Sequence, residues 1–209
     1  PMLAGQALAA NDPLLSAQWD YPAIGLPAAW AHSTGEDVVV AVVDTGVLLE
    51  HEDLRGQLTE DGYDFIADPA IALDGDGLDA NPDDPGDRDL NGISSFHGTH
   101  VAGTIAARTD NGIGIAGMAY DARIMPVRVM GHGGGYLYDV MQGIRYAAGL
   151  SNDAGVLPEQ PADIINVSLG ASYASESARR LFQEVVARGI IVVAAAGNEG
   201  NAVPNYPAA

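Results

Sequence analysis

Four short apolar runs punctuate this chain, and between them lie stretches with helical spacing. Residues 37–43, 124–129, 164–169 and 190–196 are rich in valine and isoleucine and too short for ordinary helices, so each reads as a buried strand. Between them, Val101, Ala102, Ile105 and Ala106 recur at helical intervals, as do Val140, Ile144 and Ala147 within 136–148. Residues 174–188 form a third amphipathic stretch carrying Leu181, Val185 and Val186, with Gly189 where a C-terminal cap belongs. Strands that are apolar throughout and alternate with helices predict a doubly wound α/β fold, with a parallel sheet covered by helices on both faces. No internal repeat and no clear second domain interrupt the pattern.

Composition narrows the function. The 209 residues suffice for one ordinary α/β domain. A net charge of −19 disfavours a nucleic-acid partner, because phosphates draw basic surfaces, and none is expected. No apolar run reaches the length of a membrane span. Cysteine is absent, which removes disulfides, thiolate nucleophiles and cysteine metal sites. All nine basic residues are arginine. The chain opens Pro1-Met2-Leu3 with no basic stretch and no long apolar run, so no signal peptide is expected. Residues 1–10 read as a processing remnant, a piece of a pro-segment or a cloning scar, and the domain proper as 11–209.

Residues 60–90 differ from the rest, with eleven acidic residues, one arginine and interspersed Gly75, Gly77, Pro82, Pro85 and Gly86. This predicts a loop rather than a core element. Asp74, Asp76 and Asp79, spaced by glycines, resemble the first half of an EF-hand loop, although Pro85 stands where its bidentate glutamate belongs. Either the loop holds Ca2+ through Asp74, Asp76 and Asp79, with Asp83 and Asp84 as weaker ligands, or it is a solvated acidic loop that binds nothing.

In a doubly wound sheet, ligands gather beyond the carboxyl ends of the strands. Asp44 ends the first strand, His97 opens the first long helix, and Asn198 follows the last strand. A carboxylate beside a histidine fixes its tautomer and stabilises the imidazolium, and a carboxamide can donate to a developing oxyanion. The helix N-terminus disfavours a cationic His97, and a neighbouring carboxylate offsets that effect. Taken singly, each of these residues reads equally as a turn, cap or structural residue.

Their local sequences resemble one family. Val42-Val43-Asp44-Thr45-Gly46-Val47 is similar to the aspartate motif of the subtilisin-like serine proteases, the subtilases. His97-Gly98-Thr99-His100-Val101-Ala102-Gly103 is similar to their histidine motif, and Val193-Ala194-Ala195-Ala196-Gly197-Asn198 to the strand ending in their oxyanion asparagine. Asn166-Val167-Ser168-Leu169-Gly170 resembles their substrate-binding segment. The Asn-Asp-Pro at 11–13 and the Pro-Asn-Tyr-Pro-Ala at 204–208 are shared with thermitase-like members.

The resemblance implies a secreted endopeptidase with Asp44 orienting the histidine, His97 as general base and acid, and Asn198 as oxyanion donor. Ser168, Leu169 and Gly170 would pair with substrate backbone. Gly133, Gly134 and Gly135, before Tyr136, would supply the opposing edge, or else form a flexible loop. His100 is structural on this resemblance, and His51 and His132 have no role. The resemblance also implies a structural Ca2+ held by Asp12, Asp53, Asn111 and the carbonyls near Ile113 and Ile115. Peptide or protein substrates and an inhibitory pro-segment are the implied partners.

The family's nucleophile lies in a Gly-Thr-Ser-Met-Ala motif, and that motif does not occur here. Ser94, Ser95 and Ser168 lack the sharp turn into a helix that the nucleophile needs. The fold is therefore expected to be incomplete at its C-terminal side, with exposed apolar surface, and the chain alone to be inactive until a C-terminal segment brings the serine. The competing reading is a non-catalytic calcium- or peptide-binding module derived from the same fold. A sedolisin-like protease would carry glutamate where His97 stands.

Overall fold

The computed structural model describes residues 10–88, 91–173 and 175–209. Residues 1–9, which make up all but the last of the 1–10 stretch read as a processing remnant, residues 89 and 90 of the acidic stretch, and Ala174 lie outside the described residues. Five parallel strands form one sheet: β1 (Val39–Asp44), β2 (Tyr63–Asp64), β3 (Arg123–Arg128), β4 (Ile164–Val167) and β5 (Ile191–Ala194), in the order β2-β3-β1-β4-β5. β1 pairs with β3 from Val39 opposite Arg123 to Asp44 opposite Arg128, and with β4 from Val40 opposite Ile164. The helices are α1 (Asp20–Ala23), α2 (Leu26–Ala29), α3 (Pro69–Ala72), α4 (His97–Ala106), α5 (Leu137–Ala147) and α6 (Glu176–Ala187).

Strand periodicity of two sorts β1 between two cores. Val39, Ala41 and Val43 face α5 and α6, among Phe65, Met125, Val127, Ile144, Ile165, Leu181 and Val185. Val40 and Val42 face the other way, against Ala102 and Ala106 of α4, with Leu54 and Ile124. Helices thus cover both faces of the sheet centre, as the continuous apolar run of β1 predicts. A third cluster ties the N-terminal segment down. Tyr21 and Trp30 pack edge to face on Ala116, and Trp30 Nε1 donates to the Met118 carbonyl at 2.8 Å.

Two expectations need correction. The 60–90 stretch is not only a loop. It contributes β2, which pairs in parallel with β3, and the fully buried Phe65 and Ile66. Two residues of strand flanked by carboxylates leave no periodic signal. β5 is also not buried on both sides, since Ile191 is 59% and Val193 50% exposed. It is an edge strand, and no described element covers its outer side chains. Among the described residues no helix is long and apolar enough to cross a membrane.

Candidate active site

Asp44 is the last residue of β1, at the carboxyl end of the central strand, and its side chain is fully buried. Its backbone carbonyl accepts from Val129 and Met130, which holds the strand end against the chain leaving β3. Its carboxylate meets the imidazole of His97 in a two-oxygen contact, 2.7 Å from Nδ1 to Oδ1 and 2.9 Å to Oδ2. Oδ1 also accepts the Thr45 N–H at 2.8 Å.

His97 is the first residue of α4. Phe96 before it sits in the left-handed region at φ 47° and offers no side-chain cap. Such backbone strain in a non-glycine residue persists only where the surroundings fix it, and it is typical of functional positions. The His97 N–H is held instead by Ser95 Oγ at 3.2 Å. Gly98 shows why this turn tolerates no larger residue, because a Cβ there would lie 2.1 Å from the Gly46 carbonyl oxygen. That close approach brings the start of α4 onto the end of β1. The Asp44 hydrogen bond holds the His97 imidazole above its ordinary pKa, and burial only partly opposes it.

His97 opens onto a cleft of about 460 Å³ whose walls include Asp87, Met130, Gly131, Gly133, Gly134, Ser168, Leu169 and Gly170. The structure therefore gathers the imidazole of the Asp44–His97 pair, Gly133 and Gly134, and Ser168–Gly170 around one space, whereas Gly135 and Tyr136 are not among its walls. The glycine run takes a defined turn. Gly131 and Gly134 exchange backbone hydrogen bonds in a tight hairpin, and Gly133 and Gly134 take φ 77° and 110°. His132 anchors the hairpin tip, its N–H donating to Ile71 O and its Nδ1 lying 2.7 Å from Arg88 O. His51, likewise without an assigned role, caps the turn before Asp53. Gly135 packs against the Val129 carbonyl, and exposed Tyr136 stands just before α5 with no side-chain capping bond.

Asn198 lies just beyond β5, exposed, and its N–H donates to Glu199. It does not line the cleft. Of the serines near the pair, Ser95 Oγ donates to Asp87, and Ser168 Oγ accepts from the Asn166 side chain.

The two proposed calcium regions differ. In the acidic stretch no three carboxylates gather as a metal-holding group, and none do elsewhere among the described residues. Asp74 instead pairs with Arg128, together with Asp64, while Ala72 O accepts from the same guanidinium. The Asp76 backbone N–H donates to Asp74 Oδ1, and Asp79 accepts from the Asn81 N–H. Asp83 accepts from Leu49, and Asp84 from Thr45 and Gly86. Arg128, 1% exposed, supplies a positive charge that the acidic stretch requires, which removes the repulsion argument for a metal at Asp74. Its signal was present in the sequence as the one arginine within the apolar run 124–129. The second region does come together. Asn111 donates to Asp53 Oδ1 at 2.9 Å and to Asp12 Oδ1 through its backbone. Ile115 donates to Asp53 Oδ2, and Ile113 to the Asn111 side chain.

A parallel α/β sheet with an acid–histidine pair at its carboxyl edge, facing a glycine-walled cleft, defines a class of hydrolase architecture. The subtilase family model matches residues 35–209. An extracellular basic protease of Dichelobacter nodosus is 42% identical over 94% of this chain and 35% of its own length. Thermitase of Thermoactinomyces vulgaris is 37% identical over 95% of this chain and 61% of its own. A protease structure from Pseudoalteromonas arctica superposes with TM-score 0.89 at 42% identity, covering 95% of this chain and 62% of that one. The chain belongs to the subtilase family. It spans between about a third and three-fifths of the length of these relatives.

Proposed function

We propose that this chain carries the aspartate–histidine half of a secreted serine endopeptidase, and that a segment outside these 209 residues supplies the serine. The observation that supports it best is the buried Asp44 carboxylate held at 2.7 Å on His97 Nδ1, with the rest of the ring facing the cleft. The Nδ1–H bond to Asp44 leaves Nε2 unprotonated in neutral His97, so Nε2 is the atom that can take a proton. It accepts the serine proton as the oxygen attacks the scissile carbonyl, and Asp44 stabilises the resulting imidazolium. The proton then passes to the leaving amine, and the acyl group later transfers to water by the same exchange. Asn198 is the side chain proposed to donate to the oxyanion once substrate and the completing segment order its surroundings. Substrate backbone lies between the Ser168-Leu169-Gly170 edge and the 131–135 hairpin. An inhibitory pro-segment would fit the same cleft in the same manner.

Relatives that are extracellular proteases support the secreted setting. The test is hydrolysis of an unstructured protein such as casein by the protein at its natural full length, together with labelling by a fluorophosphonate probe. Activity and labelling that vanish in His97→Ala support the reading. Full activity in that variant overturns it.

A structural calcium fits Asp12, Asp53 and Asn111. Both carboxylates are buried, neither has an ion-pair partner among the described residues, and oxygen donors suit a hard cation. When bound there, Ca2+ would supply the charge these buried carboxylates lack and lock the N-terminal segment to the 107–116 loop.

A further inference from the structure

Asp84 belongs to the acidic stretch, yet it is 2% exposed and both its oxygens are engaged inside the protein. Oδ2 accepts the Thr45 hydroxyl at 2.7 Å, and Oδ1 accepts the Gly86 N–H at 2.8 Å. With its proton committed to Asp84, Thr45 Oγ1 turns a lone pair to the Gly98 N–H, which it accepts at 3.0 Å. That N–H belongs to the first turn of α4, whose donors have no partner within the helix. Phe96 supplies no cap, so a residue from the end of β1 caps α4 from a different part of the chain. The neighbouring pair of residues makes the other link, Asp44 to His97. Two adjacent residues of one segment, 44 and 45, therefore grip two adjacent residues of another, 97 and 98.

The side of Asp84 away from Thr45 is equally fixed. Val47 N–H donates to Pro82 O at 3.1 Å, and Leu49 N–H to Asp83 Oδ1 at 3.1 Å. The 82–86 segment thus lies along the 45–49 turn and cannot move without it. A methyl group at Gly46 would sit 2.6 Å from the Pro82 oxygen, so this contact is as close as backbone allows.

We infer that Asp84 is a positioning residue for the Asp44–His97 pair: by orienting the Thr45 hydroxyl toward the Gly98 N–H, it fixes the start of α4 relative to the end of β1. The inference rests on the proposed role of His97 as general base. It gives the carboxylates of the 82–86 segment a task in the active site in place of a metal-binding one. With a methyl at 84, the Thr45 hydroxyl is free to rotate, and the imidazole loses its alignment with Asp44. Geometric displacement of a base by a fraction of an ångström slows the chemical step while leaving substrate binding intact.

The test compares Asp84→Ala, Asp84→Asn and Thr45→Val in the full-length protein, with His97→Ala as reference. Two readouts are taken: kcat and KM on a peptide substrate, and the low-field proton NMR signal of His97 Nδ1–H. Asp84→Ala is expected to lower kcat on the order of tenfold or more with KM unchanged, and to broaden or shift the Nδ1–H signal. Asparagine keeps an acceptor for the Thr45 hydroxyl, so Asp84→Asn recovers most of both readouts. Thr45→Val matches Asp84→Ala, and the double variant is no worse than either alone, because both break one path. Unchanged kcat and an unchanged Nδ1–H signal in folded Asp84→Ala overturn the inference, as do additive effects in the double variant. Should Asp84→Ala fail to fold, Asp84→Asn and Thr45→Val decide, since a merely structural Asp84 would leave the Thr45→Val signal untouched. A His97→Ala variant that stays active instead refutes the base assignment, and the NMR signal still reports the positioning role independently.

Discussion

β1 and β5 have nearly the same residues, Val-Val-Ala-Val-Val-Asp against Ile-Val-Val-Ala, and opposite fates. Every residue of β1 is buried between α4 on one face and α5 with α6 on the other. β5 alternates exposed and half-buried side chains. Composition makes both of them strands, and the neighbouring elements alone decide whether they are core. The chemistry follows the same divide. The Asp44 end of the sheet is locked by a buried carboxylate, a strained turn and a close glycine contact. The Asn198 end is exposed, and the Asn198 N–H donates to the side chain of its neighbour Glu199. One half of the site is preorganised within these residues, and the other half is not.

The largest expected effect lies at the locked end. His97→Ala in the full-length protein should lower kcat by roughly 10⁴-fold or more, because members of a catalytic unit fail together. Asn198→Ala should cost less, about 10²–10³-fold, as for a single oxyanion donor. A reversed ranking, measured by steady-state kinetics on one peptide, would place the preorganised half of the site at the wrong end.

Arg128 tests the same divide through stability. It is buried on β3 beside Asp64 and Asp74, and burial pushes the Asp64 carboxyl up to about 7 even beside the guanidinium. Arg128→Met leaves those carboxylates without their cation and should destabilise by about 3–5 kcal/mol in urea unfolding. Calcium is expected to contribute somewhat less, about 2.7 kcal/mol when its concentration is a hundredfold above Kd. Chelation should therefore lower Tm, and Asp53→Asn should abolish the response. A Tm indifferent to excess chelator in the wild type would count against the Asp12–Asp53–Asn111 site.

Within the core, Val42→Ala should cost about 2–3 kcal/mol, since the side chain is fully enclosed. Val193→Ala should cost less than about 1 kcal/mol, since it is half exposed. Equal costs by denaturant melts of the full-length protein would mean that a further element covers β5 there, which would sharpen the contrast into one between two stages of assembly.

The sequence made most of this legible at the level of elements. The four short apolar runs are strands with their ends displaced by at most two residues, and the three periodic stretches are α4, α5 and α6. The Asp44–His97 pair was legible because short motifs carry it. What stayed hidden was whatever depends on partners distant in the chain. β2 consists of two residues whose only strand signal is the neighbour β3. Asp84 reads as a solvated loop carboxylate until Thr45, 39 positions away, is seen to donate to it. Asp74 reads as a calcium ligand until Arg128, 54 positions away, claims it. Charge density marks where a counter-charge must be and says nothing about whether it is an ion or an arginine.

The smallest effect is the most diagnostic of the locked end. The Asp44 contact lifts the His97 pKa above the ordinary imidazole value of about 6.5. A base must be neutral to accept a proton, so activity should rise with pH through a midpoint above 6.5. Stability runs the other way. The folded state binds the proton more tightly than the unfolded one, so the stabilisation from this pair is fully present below about pH 6.5 and is lost as pH rises through the folded pKa. Asp44→Asn removes the carboxylate and should bring the His97 midpoint down, read from the imidazole Cε1–H resonance across a pH series. At the open end, Asn198→Ala should leave that midpoint where it is, because Asn198 does not line the cleft beside His97. A midpoint that moves with Asn198 and not with Asp44 would mean that the imidazole takes its field from the exposed edge of the sheet, and the division between the two ends would fall.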